Sequence, residues 1–215
     1  AALVGRKIGF TNRDIWNIYG VDRPIWGDIR SSSGHFYDDG EAKLDLSRFC
    51  EPRIEPEVVI CLKDALTNCA DDTDIVRAVD WIAPGFEIVD SIYPSWSFSV
   101  SDAIATGSLH GCLFIGAKSN PKALTATELL SLEVRLLNEG ILVEEGRGAN
   151  ILDGPISAIR FLMEGIDAIP GQRPLAAGDI ITTGTMTDAK PISPGQTWRA
   201  EFSGILEGEL CLKID

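Results

Sequence analysis

Histidine is scarce in this chain of 215 residues: only His35 and His110 occur. Neither a G-x-S-x-G elbow nor a cysteine–histidine signature accompanies them, which argues against a serine or cysteine hydrolase triad. His110, beside Gly111, reads as a structural histidine with its hydrogen bonds satisfied, and His35 lies in a loop-rich stretch where an acid–base role has no support. The five cysteines (Cys50, Cys61, Cys69, Cys112, Cys211) are odd in number and contain no CxxC pair. They read as reduced thiols in a cytoplasmic protein, not as a disulfide framework or a zinc site. No apolar run approaches the roughly 18–20 residues of a membrane span. Basic residues are few and unclustered: 19 Lys and Arg face 32 Asp and Glu, a net charge of −13. Nucleic acid is therefore not an expected partner, because phosphate binding needs grouped cations. Repeats, low-complexity runs and a G-x-G-x-x-G dinucleotide fingerprint are also missing.

What remains is an ordinary globular composition, 45% hydrophobic and 24% charged, spread along the whole chain. Residues 5–10 predict a strand, followed by a short helix over 14–19 capped by Thr11 or Asn12 and stopped at Gly20. Residues 21–50, rich in Gly, Ser, Asp and Pro, read as loops and short strands forming a lid over a site. Strands are expected at 58–62, 86–89 and 111–116, with a helix over 71–83 on which Ile75, Val79 and Ile82 share a face. Beyond 130 the pattern is mostly alternating: Leu132, Val134 and Leu136, then ILVEE at 141–145, Ile180–Thr183, Trp198 to Phe202 and Leu210 to Ile214. One helix interrupts, with Pro155 in its first turn and Ile156, Ile159, Leu162 and Met163 on one face. Strands outnumber helices without regular alternation, so the expected class is α+β around a mixed or antiparallel sheet.

Three carboxylates stand out. Glu55 and Glu57, at i and i+2 of a strand, point to one face, where they repel unless a cation or protons lie between them. Alone, such a pair is more often solvated charge. Glu87 lies in the apolar run GFEIV, where an unpaired charge is costly, so it needs either a Lys or Arg partner or a metal. A hard cation such as Mg²⁺ takes oxygen ligands of this kind. Lys7, between Gly5 and Gly9, is either an exposed strand lysine or a partly buried acid–base group. The segment 146–155 could offer backbone N–H groups to an anion, or simply bend around the sheet, and Thr185 offers a hydroxyl at a strand end.

Taken in order, GRKIGFT, GVDRP, RIEPEVVICL, APGFEIVDS, GRGANILDGP, LAAGDIITTGT and PISPGQTWRAEF resemble the fumarylacetoacetate hydrolase superfamily. The nearest branch is that of the 2-oxopent-4-enoate hydratases and 4-oxalocrotonate decarboxylases of aromatic meta-cleavage pathways. The resemblance implies a single catalytic domain over 1–215 with a mixed β-roll or β-sandwich core and a few peripheral helices. The abrupt start at AALVGRKIGF leads us to expect a preceding helical segment. It also implies Mg²⁺ or Mn²⁺ held by Glu55, Glu57 and Glu87, and proton transfer by Lys7 with its pKa lowered by burial or by the metal. Gly146, Arg147, Gly148, Ala149 and Thr185 would lie near the substrate. The reaction implied is hydration or decarboxylation of an unsaturated 2-oxo (2-hydroxydienoic) acid through a metal-stabilised enolate. The alternatives are an acylpyruvate hydrolase, an oxaloacetate decarboxylase, or a weakly active paralogue serving as a partner subunit.

This chain departs from the pattern where hydratases carry Pro-Asp, having Pro24-Ile25, and it has Thr106-Gly107 for an Asp-Asn pair and Asp90-Ser91-Ile92 for Asp-Ser-Arg. No lysine stands at 103–111, where hydrolase members use one. A homo-oligomer, or a hetero-complex with a related enzyme, completes the expectation, with Trp26 and Trp96 as exposed contact residues and no membrane partner.

Overall fold

The protein is described by a computed structural model covering residues 1–37, 41–67, 70–120 and 122–215. Cys69 and residues 38–40 of the expected lid lie outside the described residues; the other four cysteines are free thiols. Strand β1 (Leu3–Gly9) leads through a 3₁₀ turn, Arg13–Ile15, into the one-turn helix α1 (Trp16–Tyr19). Asn12 caps the turn by accepting from the Asp14 N–H, and Gly20, at φ +65°, ends the helix. Then come β2 (Ile25–Arg30), β3 (Gly34–Phe36), β4 (Glu41–Leu44) and the long β5 (Pro52–Leu62). Helix α2 (Asp72–Ala78) feeds β6 (Val79–Asp90), and α3 (Val100–Ala105) precedes β7 (His110–Ile115). Helix α4 (Ala126–Ser131) precedes the hairpin of β8 (Glu133–Asn138) and β9 (Ile141–Arg147). Helix α5 (Pro155–Asp167) is followed by β10 (Ile180–Thr182), β11 (Lys190–Pro191), β12 (Thr197–Ser203) and β13 (Gly208–Ile214).

These strands make two mixed sheets. One runs β2-β1-β10-β5-β6-β7-β3, with β11 also paired to β5, and the other runs β4-β13-β12-β8-β9. The α+β class and the peripheral helices are as the sequence pattern indicates. The main core joins the two sheets to α5: Ile54, Val58, Ile60 and Leu62 share one buried cluster with Val134, Leu136, Trp198, Leu212, Ile159 and Leu162. The opposite face of β5 carries Val59 and Cys61 into a second cluster with Trp81 and Leu113. On that second face, by the same alternation, stand Glu55 and Glu57.

Two expectations need correction. The helix over 71–83 ends at Ala78, because Val79, Trp81 and Ile82 pair with Leu62, Cys61 and Ile60 of β5. β-Branched and aromatic side chains on a strand buried on both faces outweigh a helical spacing of three apolar residues. Over its described residues the segment 21–50 forms loops and short strands, as expected, with β2 pairing with β1, β3 with β7 and β4 with β13, in both sheets. Trp26 and Trp96 are half-buried and not exposed as expected, Trp26 packed against the main core and Trp96 against a smaller cluster around Val89 and Leu109.

Candidate metal centre

Strand pairing assembles the carboxylates. Glu55 on β5 stands directly opposite Glu87 on β6, and Glu57 stands opposite Gly85. Cross-strand partners share a face, so all three side chains rise from the same side of the sheet. One oxygen from each of Glu55, Glu57 and Glu87 lies within 4.8 Å of the others. Glu57 and Glu87 are fully buried, and Glu55 is half-buried at the mouth of a cavity of about 490 Å³.

Lys7 arrives from β1 through β10, its register partner being Thr182. It is 2% exposed, with Nζ 3.2 Å from Glu87 Oε2, and it donates to the Ser108 carbonyl at 3.0 Å. The exposed-strand reading of this lysine is thereby excluded. Glu87 is also held by His110, whose Nδ1 donates to Oε1 at 2.7 Å while Nε2 lies 2.9 Å from Ser33 Oγ. His110 is thus a satisfied histidine, as its sequence context suggests, but it is satisfied by a carboxylate of the site. His35 is exposed on β3, beside the Phe114 ring.

Burial pushes Glu55 up to about 7, with Glu87 adding repulsion against the opposing pull of Lys7 and Arg53. Burial, then Glu87 and Glu55, pushes Glu57 well above the ordinary range. Burial acts the same way on Glu87, but Lys7 and the His110 hydrogen bond outweigh it and leave that carboxyl low. For Lys7 burial favours the neutral amine, yet Glu87, Glu55 and Glu57 together raise its pKa above the ordinary value. The expectation of a lowered pKa therefore fails without a metal: three neighbouring carboxylates exceed the desolvation of one ammonium.

The donor set fits a hard dication. All candidate ligand atoms are carboxylate oxygens, as Mg²⁺ and Mn²⁺ prefer. Glu57 Oε1, fully buried, has no hydrogen-bond partner, which is costly for a polar atom unless something charged sits against it. The other oxygen, Oε2, accepts from the Gly184 N–H at 2.8 Å. Gly184 sits at φ +101°, and a Cβ there would lie 2.1 Å from Thr11 Oγ1. Gly184→Ala is accordingly expected to cost about 2–4 kcal/mol of stability and to weaken Mn²⁺ binding by moving this N–H off Glu57. Urea unfolding reads the first effect, and an unchanged midpoint would contradict the close approach.

Of the residues expected near the substrate, Thr185 lines the cavity, but its hydroxyl donates to the Thr187 carbonyl and accepts from the Thr187 N–H. Residues 146–149 do not reach it. Gly146 and Gly148 allow close backbone packing, their absent Cβ atoms falling 2.2 Å from the Met186 carbonyl oxygen and 1.9 Å from that of Leu129. Arg147 pairs with Glu133 at the surface, and Ala149 borders a neighbouring groove. Residues not singled out from sequence complete the cavity. Phe10, Tyr19 and Phe98 stack into an aromatic wall, and Arg53 lies over Trp96. The signal for Arg53 was available, since it stands two residues before Glu55 on the same strand face.

The model of the fumarylacetoacetate hydrolase C-terminal family matches residues 38–212. A 4-oxalocrotonate decarboxylase of a Pseudomonas species is 33% identical over 205 residues, spanning 95% of this chain and 77% of that protein. 2-Keto-4-pentenoate hydratase 1 of Dechloromonas aromatica (strain RCB) is 29% identical over 204 residues, 94% of this chain and 75% of that protein. Among solved structures, 4-oxalocrotonate decarboxylase from Pseudomonas putida G7, complexed with magnesium and adipate, superposes with a TM-score of 0.89 at 26% identity, covering 100% of this chain and 78% of that one. Family match, sequence relatives and fold agree, and the chain belongs to the fumarylacetoacetate hydrolase C-terminal family.

Proposed function

We propose that this protein is a divalent-metal-dependent lyase, a hydratase or decarboxylase of an unsaturated 2-oxo acid, with Mg²⁺ or Mn²⁺ held by Glu55, Glu57 and Glu87. The observation that carries the reading is the carboxylate triad, two of its members fully buried, with one oxygen from each within 4.8 Å of the others and Glu57 Oε1 without a hydrogen-bond partner. The relatives named hydratase and decarboxylase support it. When bound, a dication held by these carboxylates would supply Lewis-acid stabilisation of the negative charge that grows on the 2-oxo oxygen of the substrate.

The chain's own residues do the rest. Lys7 lines the cavity, and in the metal-free protein the surrounding carboxylates favour its ammonium form, so it is placed to give a proton. The Ser108 carbonyl and Glu87 fix the direction of that ammonium. Phe10, Tyr19 and Phe98 offer a flat apolar surface suited to a conjugated chain and displace water from it. Ile25 also lines the cavity, in place of the aspartate of the resembling hydratases. An alkyl group moves no proton, which leaves Lys7 as the acid–base group beside the carboxylates.

We place the enzyme in the cytoplasm, in keeping with its free thiols. No helix among the described residues is long and apolar enough to cross a membrane. A homo-oligomer belongs to the same reading, supported by the exposed Ile141, Leu142 and Val143 on the edge strand β9.

The test is calorimetric titration with Mn²⁺, with and without oxalate, followed by a panel of unsaturated 2-oxo acids assayed for dienol absorbance and CO₂ release. Metal binding, metal-dependent oxalate binding and turnover of at least one 2-oxo acid are expected. A folded protein that binds no divalent cation would overturn the enzyme reading. Metal and oxalate binding without turnover would identify a weakly active partner subunit.

A further inference from the structure

A β-bulge turns one histidine onto the carboxylate face. Glu87 stands opposite Leu113, and regular alternation along β7 would put His110 on the other face, with Cys112. The register slips between Ile88 and Val89, so Gly111 is the extra residue and His110 comes opposite Val89, on the side of Glu87. Gly111 is needed there, because a Cβ would fall 2.8 Å from the Ile88 carbonyl oxygen and 2.7 Å from the Phe49 ring. Bulges of this kind re-aim side chains beside functional sites.

The ring is also seated from behind. Ser33, in the turn between β2 and β3, accepts at its carbonyl from the Leu113 N–H at 2.7 Å, and its Oγ lies 2.9 Å from His110 Nε2. Nδ1 is thereby aimed at Glu87 Oε1, 2.7 Å away. Glu87 does not need the ring for charge, since Lys7 Nζ already lies 3.2 Å from Oε2. What the ring adds is direction. The last torsion of a glutamate side chain is broad and two-fold, so a carboxylate turns easily unless a donor holds one oxygen. Glu57 is held in the same manner, its Oε2 accepting from the Gly184 N–H at 2.8 Å. The oxygens left over, Glu57 Oε1 and Glu87 Oε2, are both fully buried and make no hydrogen bond.

Resting on the reading of the triad as a divalent-cation site, we infer that His110, seated by Ser33, is a positioning residue that confines Glu87 to one-oxygen ligation, so that the site favours Mn²⁺ and Mg²⁺ over Ca²⁺. A small cation takes about six ligands and keeps several waters, so one oxygen from each carboxylate serves it. Ca²⁺ takes about six to eight oxygens and gains from carboxylates that offer both of theirs. The His110 ring on Glu87 Oε1 and the Gly184 N–H on Glu57 Oε2 withhold that second oxygen in two of the three glutamates. Partners that orient a ligand without touching the cation are worth about 10- to 100-fold in its affinity.

Two polar substitutions separate direction from bulk. In His110→Asn the side-chain amide nitrogen takes the place of Nδ1 and keeps the donor to Glu87. In His110→Gln it takes the place of Nε2, keeping Ser33 and losing Glu87. Calorimetric titration of the metal-free proteins with Mn²⁺ and with Ca²⁺ reads both. Mn²⁺ affinity is expected to stay within about threefold of the parent in His110→Asn and to fall about 10- to 100-fold in His110→Gln. Ca²⁺ affinity is expected to fall by less than about threefold in His110→Gln, because the freed Oε1 compensates. A loss of Mn²⁺ affinity as large in His110→Asn as in His110→Gln overturns the inference, as does no loss in His110→Gln. So does an equal fall for both cations, which would mean a damaged site. Should either variant not fold, Ser33→Ala decides: its preference for Mn²⁺ over Ca²⁺ is expected to drop about three- to tenfold, and an unchanged preference overturns the inference. Failure of the parent protein to bind Mn²⁺ overturns the carboxylate-site reading itself, and this inference with it.

Discussion

Glu57→Gln is expected to abolish Mn²⁺-dependent oxalate binding and to lower turnover by on the order of 10³-fold, while making the metal-free protein more stable at pH 8. The two effects share one cause. Without a cation, Glu55, Glu57 and Glu87 crowd three carboxyls against the single charge of Lys7, and burial pushes Glu55 to about 7 and Glu57 well above the ordinary range. A carboxyl whose pKa is raised on folding binds more protons in the native than in the unfolded state, so stability falls as pH rises between the two values. For Glu55 that window runs from 4.5 to about 7, with an upper bound of roughly 3 kcal/mol. Glutamine keeps the acceptor for the Gly184 N–H and places an amide donor where Glu57 Oε1 has no partner. The metal-free variant therefore loses the part of the alkaline destabilisation that comes from Glu57, while Glu55, still buried beside Glu87, keeps its own. Saturating Mn²⁺ at 100 times its Kd restores about 2.7 kcal/mol to the parent and nothing to the variant. Thermal unfolding from pH 5 to pH 8, with and without Mn²⁺, reads all four cases. A variant still stabilised by Mn²⁺ to the parent's extent would remove Glu57 from the site.

The same carboxylates show where sequence reading succeeds and where it stops. Glu55 and Glu57 are legible because period-two alternation on a strand is local, and Glu87 because an acid within GFEIV calls for a partner. That Glu55 faces Glu87 is a matter of register between β5 and β6, which neither segment encodes alone. His110 shows the limit more plainly. Its neighbours indicate a satisfied histidine, but its partner, Glu87, is 23 residues away and reaches it only through the pairing of β6 with β7. The glycines of 146–148 look like an anion loop in sequence, yet they are there because the Met186 and Leu129 carbonyls approach too closely for a Cβ. Composition cannot separate a glycine kept for a ligand from one kept for packing. The end of α2 at Ala78 fails for a related reason: β6 is buried on both faces, so its apolar residues mimic a helical stripe for one turn.

Lys7→Met should separate catalysis from binding. Methionine fills much of the lysine's volume without its charge, so in the Mn²⁺-loaded protein oxalate affinity is expected to stay within about tenfold, while turnover of the best 2-oxo acid falls by about 10²–10⁴-fold. The metal-free variant is a different case. Glu87 keeps His110 but loses the ammonium 3.2 Å away, and removing one partner of a buried pair costs about 3–5 kcal/mol. Because Lys7 has its pKa raised on folding, its contribution is fully present at neutral pH and disappears only in the alkaline range, so the loss is visible at pH 7. Mn²⁺ should recover part of that stability and none of the turnover. Lys7→Arg sharpens the test, since guanidinium preserves the charge but does not release its proton in the working range. It is expected to fold and to bind Mn²⁺ with oxalate, yet to remain slow. Turnover within tenfold of the parent in either variant would mean that Lys7 serves only to balance Glu87, and the proton would have to come from another group in the cavity.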